Sequence, residues 1–261
     1  MVIIVLAVLV SALVFVEPSA GLTIVNGPLV LTWSPEVAPQ RRPRSTPVPA
    51  TFRLDFTSRS RETAEIPLLS GFGVEMIREV VIDPTGLRPC RRGYIFRPDS
   101  PATACDHSLV GHGSITYEMA LPEHAPLQVR GVFRAFYADE AFFPDESDHP
   151  GIVAVVKARA PAPTTFVIPF TLAKAQGEEG GMRLFIPPGR IPARWGHISA
   201  FNISLHRVFV DEKGKRRSFV RATCQPPLGS IAFPLLVGTF TYASGEQLRQ
   251  VVRSTNCIVA P

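Results

Sequence analysis

The feature that most limits what this chain can fold into is a period-two alternation of apolar and polar residues that returns along its length. In "TFRLDFT", Phe52, Leu54 and Phe56 fall on one side and Arg53 and Asp55 on the other; in "SITYEMA", Ile115, Tyr117 and Met119 oppose Thr116 and Glu118. Successive side chains of a strand point to opposite faces, so each run describes a strand with one dry face and one wet one. The pattern returns in Phe166, Ile168 and Phe170, in Met182, Leu184 and Ile186, in Phe201, Ile203 and Leu205, and in Phe233, Leu235 and Val237. Turn sequences such as "DPTG", "EEGG", "PPGR", "DEKGK" and "ASGE" lie between the runs. No run keeps helical spacing beyond a turn or two. The nearest, "SGFGVEMIREVVID", is rich in β-branched residues and ends in "DPTG", so it reads as strand.

The 26 prolines fall mostly beside these runs. Pro169 and Pro234 fall inside them and mark edge strands or bulges. "SPEVAPQRRPRSTPVPA" (residues 34–50) holds too much proline for a sheet interior. It reads as an extended crossing between a first strand, Leu22 to Trp33, and the next, with an interdomain linker as the competing reading. A chain of 261 residues, 46% hydrophobic, buries one large core or two small ones. With 17 Phe against 4 Tyr and 2 Trp, most rings lack a polar handle and suit that core. The expectation is an all-β, single-domain antiparallel β-sandwich of jelly-roll or immunoglobulin-like type over residues 21–261. Two smaller β domains meeting near residues 145–163, around the apolar run Ile152 to Val156, are the alternative.

Met1 to Val16 is apolar apart from Ser11 and leads into Glu17, Pro18, Ser19 and Ala20, the pattern of an export signal spanning residues 1–20. No Lys or Arg precedes the run, and Pro18 sits where cleavage favours a small side chain, so a retained signal anchor is the alternative. The run is shorter than the ~20 residues that span a bilayer. Both readings send the chain out of the cytoplasm, secreted or held at the envelope. There four cysteines imply disulfides. Of three possible connectivities, the sequence-local one joins Cys90 to Cys105 and Cys224 to Cys257. A competing metal site in "GLRPCRRGYIFRPDSPATACDHSLVGHGS" would use Cys90, Cys105, His107 and His112. Only Cys105 and His107 have the spacing of a structural zinc pair, and His107 and His112 would point to opposite faces of a strand. No metal and no cofactor is expected. Gly111 and Gly113 around His112 instead suggest a turn or bulge where backbones approach closely.

Catalytic signatures are sparse. Neither G-x-S-x-G nor H-E-x-x-H occurs. The loop "DEAFFPDESDHPG" offers Asp139, Glu140, Asp145, Glu146 and Asp148 for calcium or for a glycosidase pair, but lacks the glycine and terminal glutamate of an EF-hand and reads as a solvated turn. The sequon at Asn202 sits inside an alternating strand, a poor site for glycosylation. Flat rings for stacking on sugar are limited to Trp33, Trp195 and the tyrosines; Trp195 is best placed for a loop, although core burial is the leading state for tryptophan.

The formal net charge is +5, and residues 1–20 contribute only Glu17. Cations gather in "RRPR" (Arg41, Arg42, Arg44), "RSR" (Arg59, Arg61), "RPCRR" (Arg88, Arg91, Arg92) and "KGKRR" (Lys213, Lys215, Arg216, Arg217). Such clusters attract an anionic cell-wall polymer or membrane surface by screened Coulomb forces, or are plain solvated loops. No aromatic stacking or helix-turn-helix pattern accompanies them, so nucleic acid is not expected. The oligomeric state is not legible.

The order of "GLRPC", "ACDHSLVGHGS", "PTTFVIPF", "ISAFNISLHRVF" and "SFVRATCQPP", closed by a cysteine near the C-terminus, resembles a group of uncharacterised exported proteins of soil actinobacteria. The likeness runs from about Leu29 to Cys257 and includes the Val-Gly-x-Gly of Val110, Gly111 and Gly113. It implies export and a cysteine-bearing β-rich domain, with no activity and no catalytic residue. The functional expectation is therefore a non-catalytic exported protein that adheres to anionic envelope polymer. The alternatives are a secreted hydrolase using carboxylates of the 139–148 loop near His112 or His197, and a carrier of a hydrophobic ligand.

Overall fold

The computed structural model describes residues 21–26, 29–61, 68–95, 101–119, 127–138, 151–160, 163–175, 180–186, 197–226, 233–254 and 257–260. The strands in chain order are β1 (Leu22–Asn26), β2 (Leu29–Ala38), β3 (Arg41–Arg42), β4 (Val48–Pro49), β5 (Thr51–Ser60), β6 (Leu69–Ile77), β7 (Val80–Ile82), β8 (Leu109–Met119), β9 (Leu127–Ala138) and β10 (Gly151–Ala160). They continue with β11 (Thr164–Lys174), β12 (Gly180–Ile186), β13 (His197–Leu205), β14 (Val208–Val210), β15 (Arg216–Ser218), β16 (Val220–Ala222), β17 (Phe233–Tyr242), β18 (Gln247–Ser254) and β19 (Ile258–Val259). Two single helical turns, α1 (Arg92–Ile95) and α2 (Pro101–Ala104), precede β8.

Twelve strands form one antiparallel sheet in the order β1-β2-β5-β13-β8-β9-β10-β11-β12-β6-β17-β18. Nine strand spacings separate β2 from β17, which in a flat sheet is about 40 Å. Yet the rings of Trp33 on β2 and Phe240 on β17 lie 5.1 Å apart, so the sheet is rolled until its two ends meet. Trp33 also packs on Phe56 (5.0 Å) and Phe72 (5.9 Å), and Phe72 in turn meets Phe201 of β13 across the interior (6.0 Å). β18 packs beside β2 without joining its ladder. The architecture is all-β, as the alternation predicts, but barrel-like: one curled sheet stands where two facing sheets were expected. Alternation reports which face is dry and not whether the strands belong to one sheet or two. Hydrogen bonding runs unbroken through β10, which pairs with β9 on one side and β11 on the other.

Charged residues such as Arg53, Asp55, Arg59, Arg130 and Arg134 point outward, and leucine, valine and phenylalanine fill the interior. This is the reverse of a membrane-spanning barrel, whose outer band is apolar. The small sheet β4-β16-β7 adds Phe219, Val220 and Ala222 to the same core. At the end of the chain β19 pairs in parallel with β3, and Cys224 and Cys257 are bonded with Cα atoms 5.6 Å apart, as the spacing predicts.

Several local readings need correction. The expected first strand, Leu22 to Trp33, is two antiparallel strands: Leu22 faces Trp33 and Asn26 faces Leu29. The proline-rich 34–50 stretch is sheet for much of its length. β1 ends opposite Trp33, so Pro35 of β2 sits on an edge where its missing N–H costs little. Pro169 lies where β11 has β10 but not β12 beside it, and Pro234 lies at a register shift against β18, the positions expected of them. That shift also flips the parity of β17, so Leu236, Gly238 and Phe240 face inward and Val237 does not. "SGFGVEMIREVVID" is strand, as expected, broken by a turn at Arg78 and Glu79.

Candidate anion-binding surface

The stretch from Gly86 to Ser114 begins outside the sheet and ends within it. Cys90 and Cys105 are bonded, with Cα atoms 5.3 Å apart, so neither sulfur is a thiolate for a metal. The N–H of Cys90 donates to the carbonyl of Tyr137 at 2.8 Å, which pins the loop to the end of β9. Cys90, Ile95 and Cys105 are buried against Phe136, Ala138, Val153 and Val155, a small second core on the outer face of the sheet. The disulfide thus fastens a cover over apolar residues that would otherwise face water. Where β8 begins, Gly111 and Gly113 lie against β13 so closely that a Cβ would meet the carbonyl oxygens of Ser204 and Asn202 at 2.2 and 2.0 Å. A register shift between Leu109 and Gly111 accompanies this approach, the bulge expected around His112.

Beyond the cover the same face of β9 and β10 turns cationic. Residues two apart share a face, so Phe136 is followed on the outside by Arg134, Val132 and Arg130, all exposed, and β10 contributes exposed Lys157 and Arg159. Register sets Arg134 beside His112, Val132 between Ser114 and Lys157, and Arg130 beside Thr116. Lys157, opposite Val132, therefore stands diagonally from Arg134, a Cα separation of about 7–8 Å, and from Arg130 across the register shift between Ala158 and Ala160. The carboxylates of the neighbouring outer strands are engaged elsewhere. Glu36 pairs with Arg53 at 3.5 Å, Asp55 accepts from the Asn202 amide, and Glu118 accepts from Gln128 at 3.3 Å. Arg134, Lys157 and Arg159 have no carboxylate partner among the described residues. Grouped like charges cost stability in a sheet, and a bound anion would offset that cost.

Next to this face His112 meets His206 edge-on, ring centroids 5.4 Å apart. Burial holds His206 below the usual imidazole range, helped by His112, Arg53 and Arg207 around it. His197 is 6% exposed, inside the sheet, with Nδ1 3.8 Å from Glu118; burial lowers its pKa, and the carboxylate only partly opposes this. The two histidines considered for a hydrolase are thus apart, one outside and one inside. The carboxylates considered with them, Asp139, Glu140, Asp145, Glu146 and Asp148, lie outside the described residues, as do Trp195 and the segment 1–20.

The clusters read from sequence have different fates. Arg42 is 2% exposed and donates to the carbonyls of Val37 (2.7 Å), Pro39 (2.6 Å) and Thr223 (3.1 Å), so it is a strut and "RRPR" is not a single patch. Arg88, Arg91 and Arg92 are exposed on the disulfide loop that borders the cationic face. Lys213, Lys215 and Arg216 are exposed around the β14–β15 hairpin, and Arg217 is held by Asp211 at 2.5 Å. Asn202, the sequon residue, is engaged with Asp55. Trp33 is fully buried and unavailable for stacking on sugar.

Sequence reasoning missed Arg130, Arg134, Lys157 and Arg159 because apolar residues separate them. The signal was present in "QVRGVFRAF" and "VVKARA", where Arg130 and Arg134, and Lys157 and Arg159, are separated by an odd number of residues and so share one face of their strand. Inside the barrel, the voids lined by Phe56, Phe72, Phe170 and Phe201 and by Leu31, Phe240 and Tyr242 each hold about 10 Å³, enough for one water and far below the roughly 300 Å³ of a ligand cavity. No protein-family model, no curated protein and no solved structure matches this chain.

Proposed function

We propose that the protein is an exported, non-catalytic binding protein that holds anionic polymer of the cell envelope against the outer face of β8, β9 and β10. The observation that carries this reading is the set Arg130, Arg134, Lys157 and Arg159, exposed on the outer face of the curled sheet and without carboxylate partners among the described residues. An extended polyanion meets several of these cations at once, and multivalent contact adds up where single exposed ion pairs are weak. The disulfide loop widens the face with Arg88, Arg91 and Arg92. Export is supported by the apolar N-terminal segment and is compatible with two disulfides.

The test is retention on a purified, phosphate-bearing cell-wall fraction across a salt gradient. Retention should weaken steadily with salt, because the screening length falls from ~10 Å at 0.1 M to ~3 Å at 1 M. The variant Arg130→Glu/Lys157→Glu should elute at clearly lower salt than the parent. Retention that persists unchanged into 1 M salt, or an unchanged elution of the variant, would refute the reading.

A further inference from the structure

A second cationic region lies away from the sheet face, in a groove of about 430 Å³ between the β14–β15 hairpin and the small sheet that holds β16. Lys215, Arg216, Arg217 and Arg221 line it with a single carboxylate, Asp83. That carboxylate is taken by Arg221, Nη2 to Oδ2 at 3.2 Å. The neighbouring Asp211 is fully occupied: it accepts from Arg217 Nε at 2.5 Å and from the backbone N–H groups of Lys213 (3.0 Å) and Lys215 (2.9 Å). Lys215 and Arg216 are exposed and carry no carboxylate partner among the described residues. Arg221 keeps about a third of its side chain exposed beside Asp83 and adds a further guanidinium to the lining. Pro47 and Pro49 form an uncharged wall on which the body of a ligand can rest.

We infer that this groove binds a small organic oxyanion, a phosphate or sulfate ester carried on a sugar-sized body. Its volume falls within the roughly 300–1,000 Å³ typical of small-molecule sites and is generous for a bare inorganic ion. Lys215 and Arg216, with the partly exposed guanidinium of Arg221 beside them, supply charge-assisted bonds to the ester oxygens. The site stands apart from the β8–β10 face, and either reading can fail without the other.

The experiment is titration of the disulfide-bonded protein with glucose 6-phosphate, glucose 6-sulfate, glucose and inorganic phosphate, followed by calorimetry and by backbone amide chemical shifts. Glucose 6-phosphate is expected to bind, with shifts centred on residues 215–218 and Arg221, and glucose is expected not to bind. Preference for one of the two esters identifies which oxyanion the groove takes; equal binding assigns it to both. Lys215→Ala/Arg216→Ala removes two exposed side chains and should weaken binding about tenfold while leaving the unfolding transition in place. Arg130→Glu/Lys157→Glu should leave this binding unchanged, so that loss of polymer retention and loss of ester binding are told apart. The proposal is overturned if neither ester shifts these residues in the millimolar range. It is equally overturned if inorganic phosphate binds as tightly as the esters, or if the double alanine variant binds as tightly as the parent.

Discussion

Replacing Gly238 by alanine tests whether the sheet is closed on itself. Gly238 lies on β17, and a Cβ there would stand 2.4 Å from both Cη2 and Cζ2 of Trp33, which belongs to β2 near the other end of the sheet. The indole cannot retreat, because Phe56, Phe72 and Phe240 surround it at 5.0, 5.9 and 5.1 Å. Overpacking of this kind costs about 1–3 kcal/mol. The backbone entropy of a strand glycine works the other way, favouring alanine by about 0.5–1 kcal/mol. Gly238→Ala should therefore destabilise the parent by a net ~1–2 kcal/mol. In a Trp33→Leu background the obstructing ring atoms are gone and only the backbone gain is left, so the same substitution should become neutral or slightly stabilising. The coupling between the two sites is then about 2 kcal/mol, well above the few tenths expected of independent positions. Equilibrium urea unfolding of the four proteins with disulfides intact measures each difference. An equal effect of Gly238→Ala in both backgrounds would mean that β17 does not face β2, and the rolled sheet would be wrong.

Reduction of both disulfides should lower Tm by roughly 8–20 °C, since each bond contributes about 2–5 kcal/mol and a chain of this size shifts by about 2 °C per kcal/mol. EDTA should leave Tm unmoved because the sulfurs of Cys90 and Cys105 are bonded to each other, and a large EDTA effect would revive the metal site. Differential scanning calorimetry with each reagent separately decides the matter. Acid should weaken the fold in two stages. His197 and His206 have pKa values lowered in the folded state, chiefly by burial, so the unfolded chain binds more protons. Their contribution is complete above the ordinary imidazole pKa of about 6.5 and is lost as pH falls below it. Asp211, held low by its hydrogen bonds from Arg217 and the Lys215 and Lys213 backbone, adds a loss only below the ordinary carboxylate range. In urea titrations between pH 8 and 5, His197→Leu should show a shallower slope than the parent, and an unchanged slope would absolve the buried imidazole. Arg42→Ala leaves three carbonyls without their donor and should cost about 2–4 kcal/mol. Arg42→Lys should recover little of this, because one ammonium does not reproduce the fork, and full recovery would show that charge alone matters.

The individual strands were legible because a half-buried strand must alternate, and Phe52, Leu54 and Phe56 or Phe201, Ile203 and Leu205 have no other economical arrangement. The cysteine pairing was legible for a related reason: short loops bring their ends together at small entropic cost, and each pair closes the shorter span open to it. Strand order was not. β13 enters between β5 and β8, and β6 between β12 and β17, and these pairings are decided by how faces fit after folding rather than by anything local. The parity of β17 was lost to a single bulge beside Pro234, after which the apolar Val237 no longer counts toward the core.

The candidate site was hidden by the same physics that made the strands visible. A linear cluster such as "KGKRR" catches the eye because its charges are adjacent in sequence, yet in "RRPR" adjacency joined Arg42, a buried strut, to surface residues of no common purpose. On a sheet, charges that share a face are spaced by two along each strand and brought together across strands, so the dense patch is a sparse pattern in sequence. Arg130 and Arg134, four apart with Val132 between them on the same face, and Lys157 and Arg159, two apart, keep that parity, and Arg130, Arg134 and Lys157 each have buried neighbours before and after them that disguise the cations as ordinary alternation. Alternation that serves only solubility would intersperse both signs on the wet face. β9 and β10 present cations and no acid at the exposed positions from Arg130 to Arg134 and from Lys157 to Arg159, while β5, on the same outer surface, carries Asp55 between Arg53 and Arg59. The one-signed face next to a mixed one is the reason to treat the former as a binding surface, and it is a property of register that becomes visible only once β8, β9 and β10 are laid side by side.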